Sequence, residues 1–598
     1  MSGRSPRAAR RAGAALALAG ALLLGACSSG GGGGDGEGGA PPAAEGLDTI
    51  PFADEAASTG PADPVPGAEP GGTIRVLQAA SPAHLDPAQI YVSSQSTIAR
   101  LFHRGLTSVR LDAEGDYAVV GDLATDSGRM SEGGRTWTFT LKEDLYFEDG
   151  SPITSADIRH TVERTFADFV TNGPTYLQQW LADDTDYRGL LPGGPYEGAH
   201  LPDSVLETPD ERTVVLHFPA PRPDLPYALA MTGYAVVSEE GDTREGYDRE
   251  PLASGPYRIE EFRPDRSMTL VRNDYWDPAT DPARTAYPDR WEITFGIEDP
   301  ASTARLMADN GDDRYAISFN NGVDPANAPA VSSEERYRER LVSGYQPYVA
   351  ALAINTQRVT DVRVRRAIAH ALPLSGILQA YGGAFGGELT GGQISPLLPG
   401  FQPGYDPYGL VENDRGDPER ARELLEEAGA VGQELNFVHH TGTEDARAAV
   451  VIEGALEEAG FEVNRREVAE ATYYDEIGPV DNGYDIYRAN WGHDWLSAST
   501  VIPPLFDGRL IFDDGNNYAR LDDEEVNAEI DRISALTDQA EAAREWFELS
   551  RTILEEHAAM IPLFAYRQNI LHGSLVGGAV FNNDLGTVDM NRLHVIQE

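Results

Sequence analysis

Apolar and polar residues follow two different periods along the chain, and the alternation between them is the first structural signal. Thr136-Trp137-Thr138-Phe139-Thr140-Leu141 places an apolar side chain at every second position, as a strand with one buried face requires. Gly72-Thr73-Ile74-Arg75-Val76-Leu77 reads as an earlier strand, and others are expected at 213–218, 268–271, 292–295 and 350–354. Elsewhere the period lengthens to that of a helix. After the turn Leu85-Asp86-Pro87 a helical pattern runs through Ile98, Leu101 and Leu106. Thr154 and Asp157 have capping-box spacing and predict a helix that buries Ile158, Val162 and Phe166. Asp361 is placed to cap a helix carrying Val364, Ile368 and Leu372 on one face.

The second half is richer in such segments. Asp417-Pro418 supplies an N-cap and a first-turn proline, Leu424 and Leu425 the buried face, and Gly429 the stop. A helix over 444–459 ends at Gly460 and feeds a strand at 461–464, and two acidic helices follow near 523–536 and 540–557. Strands and helices alternate throughout without a fixed repeat, which predicts α/β lobes rather than a solenoid or an all-β fold. A length of 598 residues exceeds one ordinary core, so two or three lobes are expected.

The N-terminus breaks this pattern. Arg4, Arg7, Arg10 and Arg11 precede an apolar run from Ala12 to Leu24, the layout of a secretory signal and too short for a mature membrane span. Leu24-Gly25-Ala26-Cys27 follows, and Cys27 is the single cysteine of the chain, so no intramolecular disulfide can form. The tetrapeptide resembles the lipobox of bacterial lipoproteins, which implies that Cys27 becomes the N-terminus and carries lipid on its sulfur and amine. Residues 28–71 are low-complexity, with a glycine tract at 30–34, and are expected to form a flexible tether with a reach of roughly 35 Å.

Charge narrows the partners. The formal net charge is −49, a surface that repels phosphate backbones and disfavours nucleic acid. Lys142 is the only lysine, so arginine supplies almost every cation. No Gly-x-Ser-x-Gly elbow, His-Glu-x-x-His helix or phosphate-binding Gly-Lys-Ser/Thr loop is present. Assigning Cys27 to the anchor removes a cysteine nucleophile and thiolate metal sites. His439 and His440 are adjacent and so point apart in a strand, and Asp112, Glu114 and Asp116 form only part of a calcium-loop spacing. No enzyme activity, metal or cofactor is expected.

An ordered series of segments then resembles one family. Gly121-Asp122-Leu123-Ala124, the strand 135–141, and Phe147-Glu148-Asp149-Gly150-Ser151-Pro152-Ile153-Thr154-Ser155-Ala156-Asp157-Ile158 are followed by Ser254-Gly255-Pro256-Tyr257, Arg272-Asn273-Asp274-Tyr275-Trp276, Asn355-Thr356 and Tyr484-Asp485 before Trp491. The series, which runs from Leu85 onward over about five hundred residues, is similar to the extracytoplasmic solute-binding proteins of ABC importers, family 5, of the oligopeptide, dipeptide and nickel type. The resemblance implies a type II periplasmic-binding-protein fold of two hinged α/β lobes with an extra subdomain in the first. The expected division is a signal peptide at 1–26, the tether at 27–71, first-lobe segments at 72–105 and 246–348 around the subdomain at 106–245, a second lobe at 349–560 and a return segment at 561–598.

The same resemblance implies the site. In peptide-binding relatives an acid at the position of Asp494 pairs with the peptide's α-ammonium group, and neighbouring backbone bonds the peptide as an added strand. Asn490, Trp491, Gly492, His493 and Trp495 surround that acid in the sequence. By the same carry-over Tyr91 and Ser93 would meet the ligand from the first lobe, and Tyr176 would stand near the subdomain wall. Relatives that bind peptides often continue with Tyr, an acid and Pro, whereas this chain reads Trp495-Leu496-Ser497-Ala498, which leaves ligand length and side-chain preference open. The expectation is a monomeric, lipid-anchored peptide receptor that serves an ABC permease and its ATPases from the outer face of the cytoplasmic membrane. A binder of a nickel chelate, oligosaccharide or opine, or a sensor lipoprotein with the same fold, is the alternative.

Overall fold

The computed structural model describes residues 49–597 apart from Asp514. Cys27, the signal peptide and residues 27–48 of the expected tether lie outside the described residues. Within them the chain folds as two lobes, each built on its own sheet.

The first lobe has a five-stranded sheet at its centre. Thr73–Leu77 lies parallel to Arg290–Thr294 on one side and to Ala316–Ile317 on the other, and Ser267–Arg272 and Tyr257–Arg263 continue the sheet antiparallel. The alternation seen in the sequence is the cause: Ile74, Val76, Met268, Leu270, Trp291 and Ile293 share one buried cluster. The last residues of the chain return to this cluster through Val576, Val588, Leu593 and Val595. A subdomain follows the first strand. It contains the four strands Arg129–Ser131, Thr136–Thr140, Thr213–His217 and Leu206–Asp210, with helix Ser155–Arg164 packed on them. That helix opens with a formed capping box between Thr154 and Asp157. The helical period through Ile98, Leu101 and Leu106 is realised only at Ser93–Ala99, and Leu106 instead leads into a strand, Thr107–Leu111.

The second lobe has a six-stranded sheet in the order Gly387–Leu389, Met560–Leu571, Leu341–Ile354, Ile486–Gly492, Glu434–His440, Glu462–Val468. It is covered on both faces, so its central strands are apolar on both sides. Ala350, Leu352, Ile486 and Phe437 face helices Val362–Ala371, Pro418–Ala428 and Thr443–Ala459. Ala351, Ala353, Tyr487 and Ala489 face the opposite layer, with Glu524–Ser534 and Gln539–Thr552. Helix ends follow local chemistry. Asp361 accepts from Arg363 N, Asp417 accepts from Arg420 N, and Gly429 and Gly460 close their helices with positive φ of 68° and 111°.

Two expectations are corrected. The boundaries expected at 349 and 561 both fall inside the antiparallel pair Leu341–Ile354 and Met560–Leu571. These long strands belong to both lobes: Val342 and Ile570 sit in the first-lobe core, Leu352 and Ile561 in the second. The resemblance implies a return at 561, but Ile561 and Pro562 pair with Leu352 and Ala351 before the chain crosses over. Residues 49–71, expected as flexible tether, run along the first lobe instead. Phe52 meets Tyr227 and Trp137 edge-on at 5.0 and 6.3 Å, and the Tyr227 hydroxyl donates to Ile50 O at 3.0 Å. Val119 bonds Pro51 O and Ala53 N bonds Val119 O, at 3.0 and 2.8 Å. A few apolar residues in a polar tract are enough to bind a chain to a groove that already exists.

Candidate functional site

A cavity of about 460 Å³ opens between the lobes. Its second-lobe wall is the end of strand Ile486–Gly492 and the loop that follows. Thr500 holds that loop: its carbonyl accepts from Trp491 Nε1 at 2.6 Å and its hydroxyl accepts from Asp494 N at 3.1 Å. Gly492 pairs with Tyr348 of the neighbouring long strand, and a Cβ at Gly492 would stand 2.8 Å from the Tyr348 ring, so only glycine fits without displacement. The first-lobe wall is the segment Ile90–Ser93 at the start of helix Ser93–Ala99, together with Arg100 and the turn at Asp584.

Tyr91, Ser93 and all six residues 490–495 line this one cavity, although some four hundred residues separate the two groups in sequence. Tyr176 is not in the lining but stands directly behind it, its hydroxyl donating to Asp494 Oδ2 in a short hydrogen bond. The Tyr91 hydroxyl bonds the same carboxylate. Both tyrosines come from the first-lobe side and Asp494 from the second, so the acid already bridges the lobes. Its residual exposure is to the cavity. Burial pushes its carboxyl up to about 6, and the two hydroxyls only partly oppose this. Among the described residues no cation touches it.

The remaining residues of the segment differ in role. His493 is buried, with neither ring nitrogen hydrogen-bonded, and burial drives it down to about 3, so it is neutral. Trp495 is buried as a wall. Its ring packs edge-on against Tyr176 at 4.8 Å and Trp180 at 6.0 Å, and its Nε1 donates to Asp224 at 3.2 Å. Asp224, of the first lobe, also accepts from Ser499 Oγ and from Gln539 Nε2 of the second lobe. Asn490 carries its amide towards Arg488, whose guanidinium is held by Asp445 and Tyr566. Arg100 binds Asp584 across the cavity floor, Nη1 to Oδ2 at 3.0 Å. Sequence reasoning missed Arg100, Asp584 and Asp224. Asp584 reads as an ordinary turn acid in Asn582-Asn583-Asp584-Leu585-Gly586, and no local signal would have raised it.

Among the described residues no three His, Cys, Asp or Glu side chains gather as metal ligands, and no helix is long and apolar enough to cross a membrane. Asp112 accepts from the backbone of Glu114 and Asp116, which makes that acidic stretch a hydrogen-bonded turn. His440 is paired with Asp445 at 3.0 Å, and His439 with Arg465 at 2.9 Å.

The profile of "Bacterial extracellular solute-binding proteins, family 5 Middle" matches residues 118–511. The chain belongs to this family. Among solved structures, the family 5 chain is similar to "Clavulanic acid biosynthesis oligopeptide binding protein 2", at 32% identity and a TM-score of 0.82, covering 92% of this chain and 99% of that one. It is also similar to the "Probable D,D-dipeptide-binding periplasmic protein DdpA" of Escherichia coli (strain K12), 24% identical over 527 residues, 86% of this chain and 92% of the relative. The "Periplasmic murein peptide-binding protein MppA" of the same organism is 23% identical over 86% of this chain and 92% of its own length. Family 5 members are extracytoplasmic solute-binding proteins with the two-lobed type II fold seen here.

Proposed function

We propose that this protein is the peptide receptor of an ABC importer, closing its two lobes on a peptide and delivering it to a membrane permease. One observation carries the reading: Asp494 lies in the cavity between the lobes, bonded by two tyrosine hydroxyls and, among the described residues, by no cation. A carboxylate so placed suits a desolvated α-ammonium group, which needs a charged partner and finds it strengthened in a water-poor site. The similarity to relatives named for dipeptide, oligopeptide and murein-peptide binding supports peptides over other solutes. A ligand that touches both lobes gains contacts only in the closed form and shifts the population towards it. Tyr91 and Ser93 would meet it from the first lobe, Trp491 and Gly492 from the second.

The proposal includes a lipid anchor at Cys27, resting on the lipobox of the sequence and holding the receptor at the outer face of the membrane. No catalytic role is proposed for any residue. Calorimetry with a free-N-terminus peptide tests the site: Asp494→Ala weakens binding by about 2–4 kcal/mol, the scale of a broken desolvated charge pair. Unchanged affinity would remove Asp494 from the site. Cys27→Ala releases the protein into the medium and leaves that affinity intact, and a parallel loss of binding would show that anchor and receptor are not separate.

A further inference from the structure

The cavity also carries a charge balance that bears on what can be enclosed. Three lining side chains are charged at neutral pH: Asp494, Asp584 and Arg100. Arg100 is already matched. Its Nη1 lies 3.0 Å from Asp584 Oδ2, and the two side chains are only 13% and 8% exposed. A further carboxylate, that of the buried Asp589, also acts on Arg100. Asp584 is itself held in place, its backbone N–H bonded to Asn582 Oδ1 at 3.0 Å. The pair is therefore built before any ligand arrives, and of the three only Asp494 has no counter-charge among the described residues.

A ligand carboxylate would meet three obstacles inside this cavity. Arg100 is already neutralised by Asp584 through Nη1, so a ligand carboxylate on its other donors would place a second acid beside one cation in a site largely shut off from water. His493 is buried and driven neutral, so it supplies no cation. Tyr91, Tyr348, Tyr474 and Trp491 are also among the lining residues, and aromatic ring faces are negative. They repel an anion and attract a cation. At about 460 Å³ the cavity lies within the range of roughly 300–1,000 Å³ that encloses a small ligand, so both ends of a dipeptide would lie within reach of the lining.

We propose that the enclosed part of the ligand is a monocation: an α-ammonium group on Asp494, with the carboxylate either capped as an amide or carried outside the cavity by further residues. The inference rests on the reading of Asp494 as the ammonium partner and adds a specificity to it. Arg100 acts by cancelling Asp584, not by grasping the ligand.

Three matched probes test this by calorimetry on the purified protein at neutral pH: alanyl-phenylalanine, alanyl-phenylalanine amide, and the same amide with an acetylated N-terminus. The amide with a free amine is expected to bind at least tenfold tighter than the free acid, and the acetylated amide to lose binding by a similar factor or more. A free acid that binds as tightly as the amide, or a protein that binds neither, overturns the monocation rule. An acetylated amide that binds as well as the free amine overturns the Asp494 reading itself, so the two failures are distinguishable.

Discussion

Asp281 and Asp494 are both carboxylates withdrawn from bulk water, and their surroundings push them in opposite directions. Asp281, at 0% exposure in the first lobe, meets Arg284 at 3.2 Å and Arg104 at 3.6 Å and accepts from Trp276 Nε1. Burial alone would raise it, but the two guanidinium groups hold it down at about 2. Asp494 has two hydroxyls and no cation, and the same burial leaves it at about 6. The first network is complete. Arg104 and Arg284 also bind Asp122, and Lys142 donates to the carbonyls of Gly121, Asp122 and Thr280 at 2.9, 2.7 and 2.8 Å. The second is incomplete at one group that faces a cavity. A buried acid with its cations in place fastens the fold, whereas one without them keeps its pairing free energy for a ligand.

This contrast can be broken most severely at the complete network. Arg284→Met leaves Asp122 and Asp281 each short of a cation and is expected to destabilise the fold by about 3–5 kcal/mol, read as a lower urea midpoint. Asp494→Asn should do the reverse. It weakens peptide binding by about 2–4 kcal/mol yet stabilises the unliganded protein by ~1 kcal/mol above pH 6, because it removes a buried charge that no cation balances. Loss of stability in that variant would show that Asp494 is structural, like Asp281.

Asp224 is intermediate, with neutral donors only and all three from the opposite lobe. Asp224→Ala leaves Trp495 Nε1, Ser499 and Gln539 unpaired in the closed form, which is expected to cost about 1–3 kcal/mol of affinity by calorimetry with little change in the first-lobe core. The smallest effect is that of pH. Asp494 titrates near 6 rather than 3.8, so the unliganded fold bears the cost of its charge above pH 6 and sheds it as the pH falls from 6 towards 3.8. Ligand binding runs the other way, since an ammonium group needs the charge. Affinity should therefore fall below pH 6 by up to about tenfold per pH unit, with proton release on binding near pH 6. A pH-independent affinity between 5 and 7 would contradict the pairing.

Much of the local structure was legible because its causes are local. The Thr154–Asp157 capping box, the Asp361 and Asp417 caps and the Gly429 and Gly460 stops are each decided within a few residues. Alternation predicted strands such as Thr136–Thr140 because one buried face imposes a period of two on any sheet. Low-complexity composition misled for the tract at 49–71, where the groove that receives Phe52 is made by Trp137 and Tyr227. The lobe boundaries that the resemblance implies fall inside strands shared by two cores, where the sequence has no compositional break.

The two sides of the site illustrate the same division. Residues 490–495 stood out as a motif because they are consecutive, and a strand end followed by a stapled loop can be encoded in one short stretch. What that stretch faces could not be read there. Arg100 and Asp584 are 484 residues apart, and Asp224 and Ser499 are 275 apart. Sequence alone determined the alternation of elements, their caps and the segment bearing Asp494. Only the tertiary structure decided that Asp494 has no cation while Arg100 is already spent on Asp584, because charge pairing depends on distance in space and on exclusion of water, and neither is a property of neighbours in the chain.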